Sequence, residues 1–292
     1  MDDWYEAGRL TAKVRDYGKK LIKENIKLID VTENIEKFTL DNNINLAFPI
    51  QLSINEIAAH YAAFVNDDII FKKNDLIKLD IGVCVNGAIG DSAVSVGIGN
   101  KWDKLISASE IALNEAIKIV KDGITLGEIG KTIEDAIHKT GFKPIRNLSG
   151  HGLNLFMVHN GINIPNYDTK ESFKLKEGMV IAIEPFATTG DGLVKDGKDS
   201  DIFRLLTKKN VRDINARKLS NYIWEEKKTL PFSKRELLKK FSEYEVNIGL
   251  RNLINAGILH SYKHLIEKTN GIVSQTEHSV LIKKDRCEIL TI

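Results

Sequence analysis

Residues 76–85 read Leu-Ile-Lys-Leu-Asp-Ile-Gly-Val-Cys-Val, residues 88–96 read Ala-Ile-Gly-Asp-Ser-Ala-Val-Ser-Val, and Asn86-Gly87 stands between them. Asn-Gly between two β-rich runs is a strong short-range signal for a two-residue hairpin loop, because both residues tolerate positive φ. If the loop is Asn86-Gly87, Val85 pairs with Ala88 and paired residue numbers sum to 173. Asp80 then lies opposite Ala93, which shares a face with Asp91 two residues earlier, so the two carboxylates are diagonal neighbours on one face. Two acids projecting together from apolar strands repel each other and lose solvation. Either a bulge shifts the register and one Asp serves the turn, or a cation or shared proton holds the pair, a divalent metal being the simplest remedy.

Working outward, Trp4, Ala7, Leu10, Val14, Tyr17 and Leu21 recur at steps of three and four, the spacing of a helical face, with Asp2 and Asp3 near its start. Asp30 and Glu33 form an Asp-x-x-Glu pattern that predicts a capped second helix running to about Asp41, followed by a strand near Pro49 to Asn55. Beyond the hairpin, residues 102–121 return to helical spacing and close near Gly123. Thr125 with Glu128 then caps another helix that stops at Gly141. Two helices thus accompany a sheet region twice, which suggests two structurally similar halves. A Gly/Asn-rich stretch (147–167) and an apolar strand (179–183) follow. Residues 213–262 read as mostly helical, and 271–282 as strand. The helical block interrupts two strands and reads as an insertion, short for a separate core.

The 292 residues are 42% hydrophobic and 28% charged, the composition of an ordinary globular protein. Forty-two Lys and Arg against 40 Asp and Glu leave a net charge of +2, so bulk charge gives little drive toward nucleic acid or an anionic membrane. Two cysteines, Cys84 and Cys287, make neither a disulfide framework nor a cysteine-rich zinc site. With no secretory pattern at the start and no apolar run near the roughly 20 residues of a membrane span, a cytoplasmic location is expected.

Further candidate ligands are His151 in Gly150-His151-Gly152, Glu184 at the end of an apolar strand before Pro185, and Glu277, read as lying within a strand. Each alone also reads as structural. Together with Asp80 and Asp91 they form an oxygen-rich set suited to two adjacent divalent ions such as Mn, Fe, Co or Zn.

The order Asp80, Asp91, Gly150-His151, Ile183-Glu184-Pro185, Gln275-x-Glu277-His278 resembles the methionine aminopeptidases of the pita-bread fold. Ala58-Ala59-His60-Tyr61, Ala47-Phe48-Pro49 and the helical block before Glu277 resemble the type II branch in its short, archaeal form. The resemblance implies an α+β pita-bread domain spanning residues 1–292, with pseudo-twofold halves, an antiparallel sheet covered by helices, and a helical insertion at 213–262. It implies that Asp80, Asp91, His151, Glu184 and Glu277 bind two divalent metals (Co, Mn, Fe or Zn), with Asp91 and Glu277 bridging. His60 and His159 would face substrate uncoordinated, His159 donating to the scissile amide or its oxyanion. Glu184 or Glu277 would shuttle the proton, and Phe48, Phe186 and Tyr262 would line the methionine pocket. The implied activity is removal of initiator methionine from nascent chains when the second residue is small, by a monomer.

His138, His260, His264 and His278 are read as non-catalytic, with His260 and His264 assigned to the insert and His278 facing away from Glu277. Lys234-Arg235 and Lys239-Lys240 form a basic helical face, either solvated or touching ribosomal RNA. The competing expectations are a proline-specific peptidase of the same fold, or a catalytically dead relative that binds RNA or a partner through the insert.

Overall fold

The computed structural model describes residues 1–292. The first half runs α1 (Asp2–Leu21), α2 (Leu28–Asp41), β1 (Gln51–Ile54), β2 (Ile57–Ala59), β3 (Leu76–Val85) and β4 (Ala88–Gly97). The second half repeats the plan with α3 (Asp103–Ile119), α4 (Leu126–Lys139), β5 (Lys143–Pro144), β6 (Ser149–Leu153), β7 (Asn163–Pro165), β8 (Val180–Ile183), β9 (Phe186–Thr188) and β10 (Val194–Leu205). Next come α5 (Ile214–Glu226), β11 (Phe232–Ser233), α6 (Lys234–Leu238) and α7 (Glu243–Asn255), then β12 (Leu259–Glu267), β13 (Val273–Gln275), β14 (His278–Ile282) and β15 (Cys287–Ile289).

All strand pairings are antiparallel, as expected, and hydrogen bonding divides them into four sheets, β1-β3-β4, β11-β10-β12-β2, β13-β9-β5 and β15-β14-β8-β6-β7. Each helix pair covers its own sheet. Val14, Val31 and Ile35 of α1 and α2 pack on Leu52, Ile77 and Leu79, while Leu113, Ile129 and Ile133 of α3 and α4 pack on Ile181, Ile183 and Val280. Burying these aliphatic faces is the main cohesive force of each half. No helix is long and apolar enough to cross a membrane.

The second helix departs from the sequence expectation at its start. It begins at Leu28, and its N-cap, Lys27, makes no side-chain cap. Asp30 lies inside the first turn because backbone supplies the missing partner: the Leu28 N–H donates to the Ile69 carbonyl at 2.9 Å. The Thr125/Glu128 capping box forms as read. So does the hairpin, whose register pairs Asp80 with Ala93 and Val85 with Ala88 without a bulge, over a turn with φ of 50° at Asn86 and 96° at Gly87.

Two further differences concern the second half. The run expected as one strand from 271 to 282 breaks at Thr276-Glu277, opposite the break that Pro185 imposes between β8 and β9; Gln275 pairs with Phe186 and His278 with Ile183 on either side. The segment after β10 has an apolar cluster of its own, in which Leu219, Ile223, Val246 and Leu253 close on Phe203 and Leu259 of β10 and β12. Its last residues, Leu259 to Tyr262, are strand because they pair with β10. Half of its basic face is engaged in ion pairs: Arg235 pairs with Glu33 and Glu36, and Lys239 with Glu36, tying α6 to α2.

Candidate metal centre

Asp80 and Asp91 share the face that the hairpin arithmetic requires, and serines bring the second half onto it. Ser92 Oγ donates to the Glu277 carbonyl at 2.8 Å, Ser95 Oγ to the Gln275 carbonyl at 2.8 Å, and Ser279 Oγ to the Asp91 carbonyl at 2.8 Å. The Glu277 N–H returns a bond to the Ala93 carbonyl at 3.0 Å. These bonds bridge two sheets that do not pair as strands, and they place Glu277 beside Asp91. Small hydroxyl side chains suit such a seam, since each satisfies a buried backbone group without filling space.

His151 enters from β6, between β7 and β8. The backbones approach closely there, and a Cβ on Gly150 would lie 2.3 Å from the Ala182 carbonyl oxygen. His151 Nε2 is 3.6 Å from Asp91 Oδ2 and 3.7 Å from Glu184 Oε1. Ligand atoms of Asp91, His151 and Glu277 all lie within 4.8 Å of one another, and all three residues are buried. Asp80 Oδ1 is buried with no hydrogen-bond partner. Gln275 Nε2 donates to Glu184 Oε2 at 3.2 Å.

The electrostatics match a cation site. Burial raises the carboxyl of Asp80 to about 7. Burial first, then repulsion from neighbouring acids, pushes Asp91, Glu184 and Glu277 well above the carboxylate range. Burial likewise holds His151 neutral, well below its ordinary value. Four crowded acids, an orphaned carboxylate oxygen and a neutral imidazole form a donor set for hard or borderline divalent ions.

The ten residues singled out from the sequence line one pocket of about 200 Å³: Asp80, Asp91, His151, Glu184 and Glu277 with His60, His159, Phe48, Phe186 and Tyr262. His159 stacks on His151 with ring centroids 4.1 Å apart, and burial lowers it to about 4. His60 is also lowered to about 4 by burial; its Nδ1 lies 3.0 Å from the Lys263 carbonyl, so Nδ1 carries the proton and Nε2 is an acceptor. Phe48 fits because Gly82 has no side chain: a Cβ there would lie 2.2 Å from the phenyl Cε1.

The four remaining histidines stand outside the pocket lining. His138 is in the last turn of α4, and His278 Nδ1 meets Thr291 Oγ1 at 2.8 Å. His260 and His264 lie on β12, the first edge-on to Tyr262 and the second stacked on Tyr61.

Gln275 and Gln51 are polar residues at the site that carried no expected role. Gln275 was visible only as part of the Glu277 motif. Gln51 lines the pocket because it pairs with Asp80 across β1 and β3, a long-range register that local periodicity does not reveal.

A fold of two helix-covered halves closing on a buried cluster of acids and a histidine defines a metal-dependent hydrolase. The model of metallopeptidase family M24 matches residues 4–229, and the chain belongs to that family. Within it, the chain is similar to methionine aminopeptidases of archaeal type. It is 42% identical to the Methanocaldococcus jannaschii methionine aminopeptidase over 98% of this chain and 96% of that one. It is 41% identical to the Pyrococcus abyssi methionine aminopeptidase over 100% and 99%. The crystal structure of a Thermotoga maritima methionine aminopeptidase superposes with a TM-score of 0.72 at 22% identity, covering 99% of this chain and 95% of that one, which supports the pita-bread fold. The activity is that of a methionyl aminopeptidase, an M24 metallopeptidase.

Proposed function

We propose that Asp80, Asp91, His151, Glu184 and Glu277 hold two divalent ions, and that the enzyme removes an N-terminal methionine when the next residue is small. Charge is the observation that carries this reading. Four carboxyl groups crowd one site where burial and mutual repulsion disfavour their ionisation, and two divalent ions would balance all four as carboxylates. The oxygen-rich set with one imidazole suits Co, Mn, Fe or Zn. Asp91 and Glu277, brought side by side by the serine seam, would be the ligands that the two ions share.

When bound, such ions polarise a peptide carbonyl and acidify water near neutral pH. The protein's own groups do the rest. Glu184, whose side chain keeps 13% of its surface exposed, reaches the pocket and is the better placed acid to carry a proton. Gln275 fixes its rotamer. His159 donates to the scissile carbonyl as charge develops, and His60 offers Nε2 as an acceptor to a substrate N–H. Phe48, Phe186 and Tyr262 enclose the thioether side chain, and the small pocket favours a small second residue.

The substrates on this reading are nascent polypeptide N-termini, met by a cytoplasmic monomer at the ribosome. Lys234 and Lys240 remain for contact with RNA, since Arg235 and Lys239 are engaged on α2. Residues 213–262 act as a helical insertion within one 1–292 domain.

A tripeptide series tests the activity. Met-Ala-Ser should be cleaved, its acetylated form should resist, and Ala-Pro peptides should not turn over. Faster release before proline, or efficient cleavage of acetylated peptides, would favour a proline-specific peptidase.

A further inference from the structure

Gln51 is 8% exposed and lies directly opposite Asp80, so its side chain rises from the sheet face that carries the candidate ligands. Its amide is oriented by one bond: Oε1 accepts the His60 backbone N–H at 2.8 Å. Only the oxygen of a carboxamide can accept, so the Nε2 position is fixed without ambiguity. His60 itself sits at a φ of 68°, in the left-handed region that few non-glycine residues adopt, and the Gln51 bond helps to hold it there. Nε2 has no hydrogen-bond acceptor within the protein, although Gln51 lines the pocket.

The neighbouring position on the same wall is Phe48, whose ring covers Gly82, two residues along β3 from Asp80. A free amide donor and an aromatic ring thus line the same wall of the pocket. A hydrocarbon side chain entering there would strip water from Nε2 and return no acceptor, whereas a thioether sulfur is a weak acceptor.

We infer that Gln51 is a specificity-determining residue, whose Nε2 donates to the sulfur of the substrate methionine while Oε1 holds the His60 backbone. This rests on the methionine-pocket reading above. It makes the enzyme distinguish methionine from norleucine, which has nearly the same shape but no acceptor. The expected preference is about 2- to 10-fold in kcat/KM, the range of one net hydrogen bond.

The test compares Met-Ala-Ser with norleucyl-Ala-Ser for the wild type, Gln51→Leu and Gln51→Glu, each metal-loaded and checked for metal content and circular dichroism. Gln51→Leu removes both roles, whereas Gln51→Glu keeps an oxygen for the His60 N–H and removes the donor. The preference for methionine should vanish in Gln51→Leu and vanish or invert in Gln51→Glu. If Gln51→Leu does not fold, Gln51→Glu carries the test alone. A wild type that does not discriminate, or a preference unchanged in a folded variant, overturns the inference. A wild type that cleaves neither peptide fails the proposed function instead.

Discussion

Nε2 of His151 stands 3.6 Å from Oδ2 of Asp91, two buried atoms that face each other at more than hydrogen-bond distance. Two ligands of one ion, each about 2.0–2.2 Å from it, are separated by roughly 3–3.5 Å. The observed spacing is close to that, and burial keeps the imidazole neutral, so a charged pair does not explain the approach.

Asp91→Asn and Glu277→Gln should each remove both ions, because each is proposed as a ligand shared by the two, and activity should fall to background. Elemental analysis beside kinetics checks this. Loss of a single equivalent from either variant would show that the residue ligates one ion alone.

Metal binding should release protons. Asp80 is raised to about 7 and its three acidic neighbours are raised as well, so the metal-free site carries protons that a cation must displace. The sign follows: affinity weakens as pH falls through about 7 and strengthens above it. His151 is already neutral at such pH and contributes no proton. Calorimetry near pH 6 in buffers of different ionisation enthalpy should report net release, and zero release would mean that the acids are ionised before metal arrives.

His60→Ala and His159→Ala should keep their metal and fold, yet lose on the order of a hundredfold in turnover, the usual cost of one positioned hydrogen-bonding group at developing charge. A variant that loses metal in proportion to activity would identify its histidine as a ligand.

Gly82→Ala should displace the Phe48 ring, because the added methyl has no space beneath it. Overpacking of this kind costs about 1–3 kcal/mol, and KM for methionine peptides should rise more than kcat falls. Thermal melting and steady-state kinetics measure the two effects, and unchanged KM would separate Phe48 from the substrate pocket.

Much of this was legible in the sequence because it depended on short-range rules. The Asn86-Gly87 turn sets the register that places Asp80 and Asp91 on one face, and Pro185 marks the end of the strand that Glu184 follows. The remainder depended on contacts between distant segments. Glu277 lies at a break rather than within a strand because its partner segment is interrupted by Pro185, some ninety residues earlier in the chain. Helix α2 starts at Leu28 because Ile69 supplies a carbonyl that no local pattern announces. Gln51 carries no local mark at all, since only the pairing of β1 with β3 brings it opposite Asp80.

Stoichiometric reconstitution tests whether Asp80, Asp91, His151, Glu184 and Glu277 act by holding two ions. Enzyme stripped by exhaustive chelation is titrated with Mn, Fe, Co or Zn while methionine release from Met-Ala-Ser is followed. Activity should be absent at the start, return with added metal and reach its plateau at two bound equivalents. Undiminished turnover in the metal-free protein would show that catalysis does not depend on these ions.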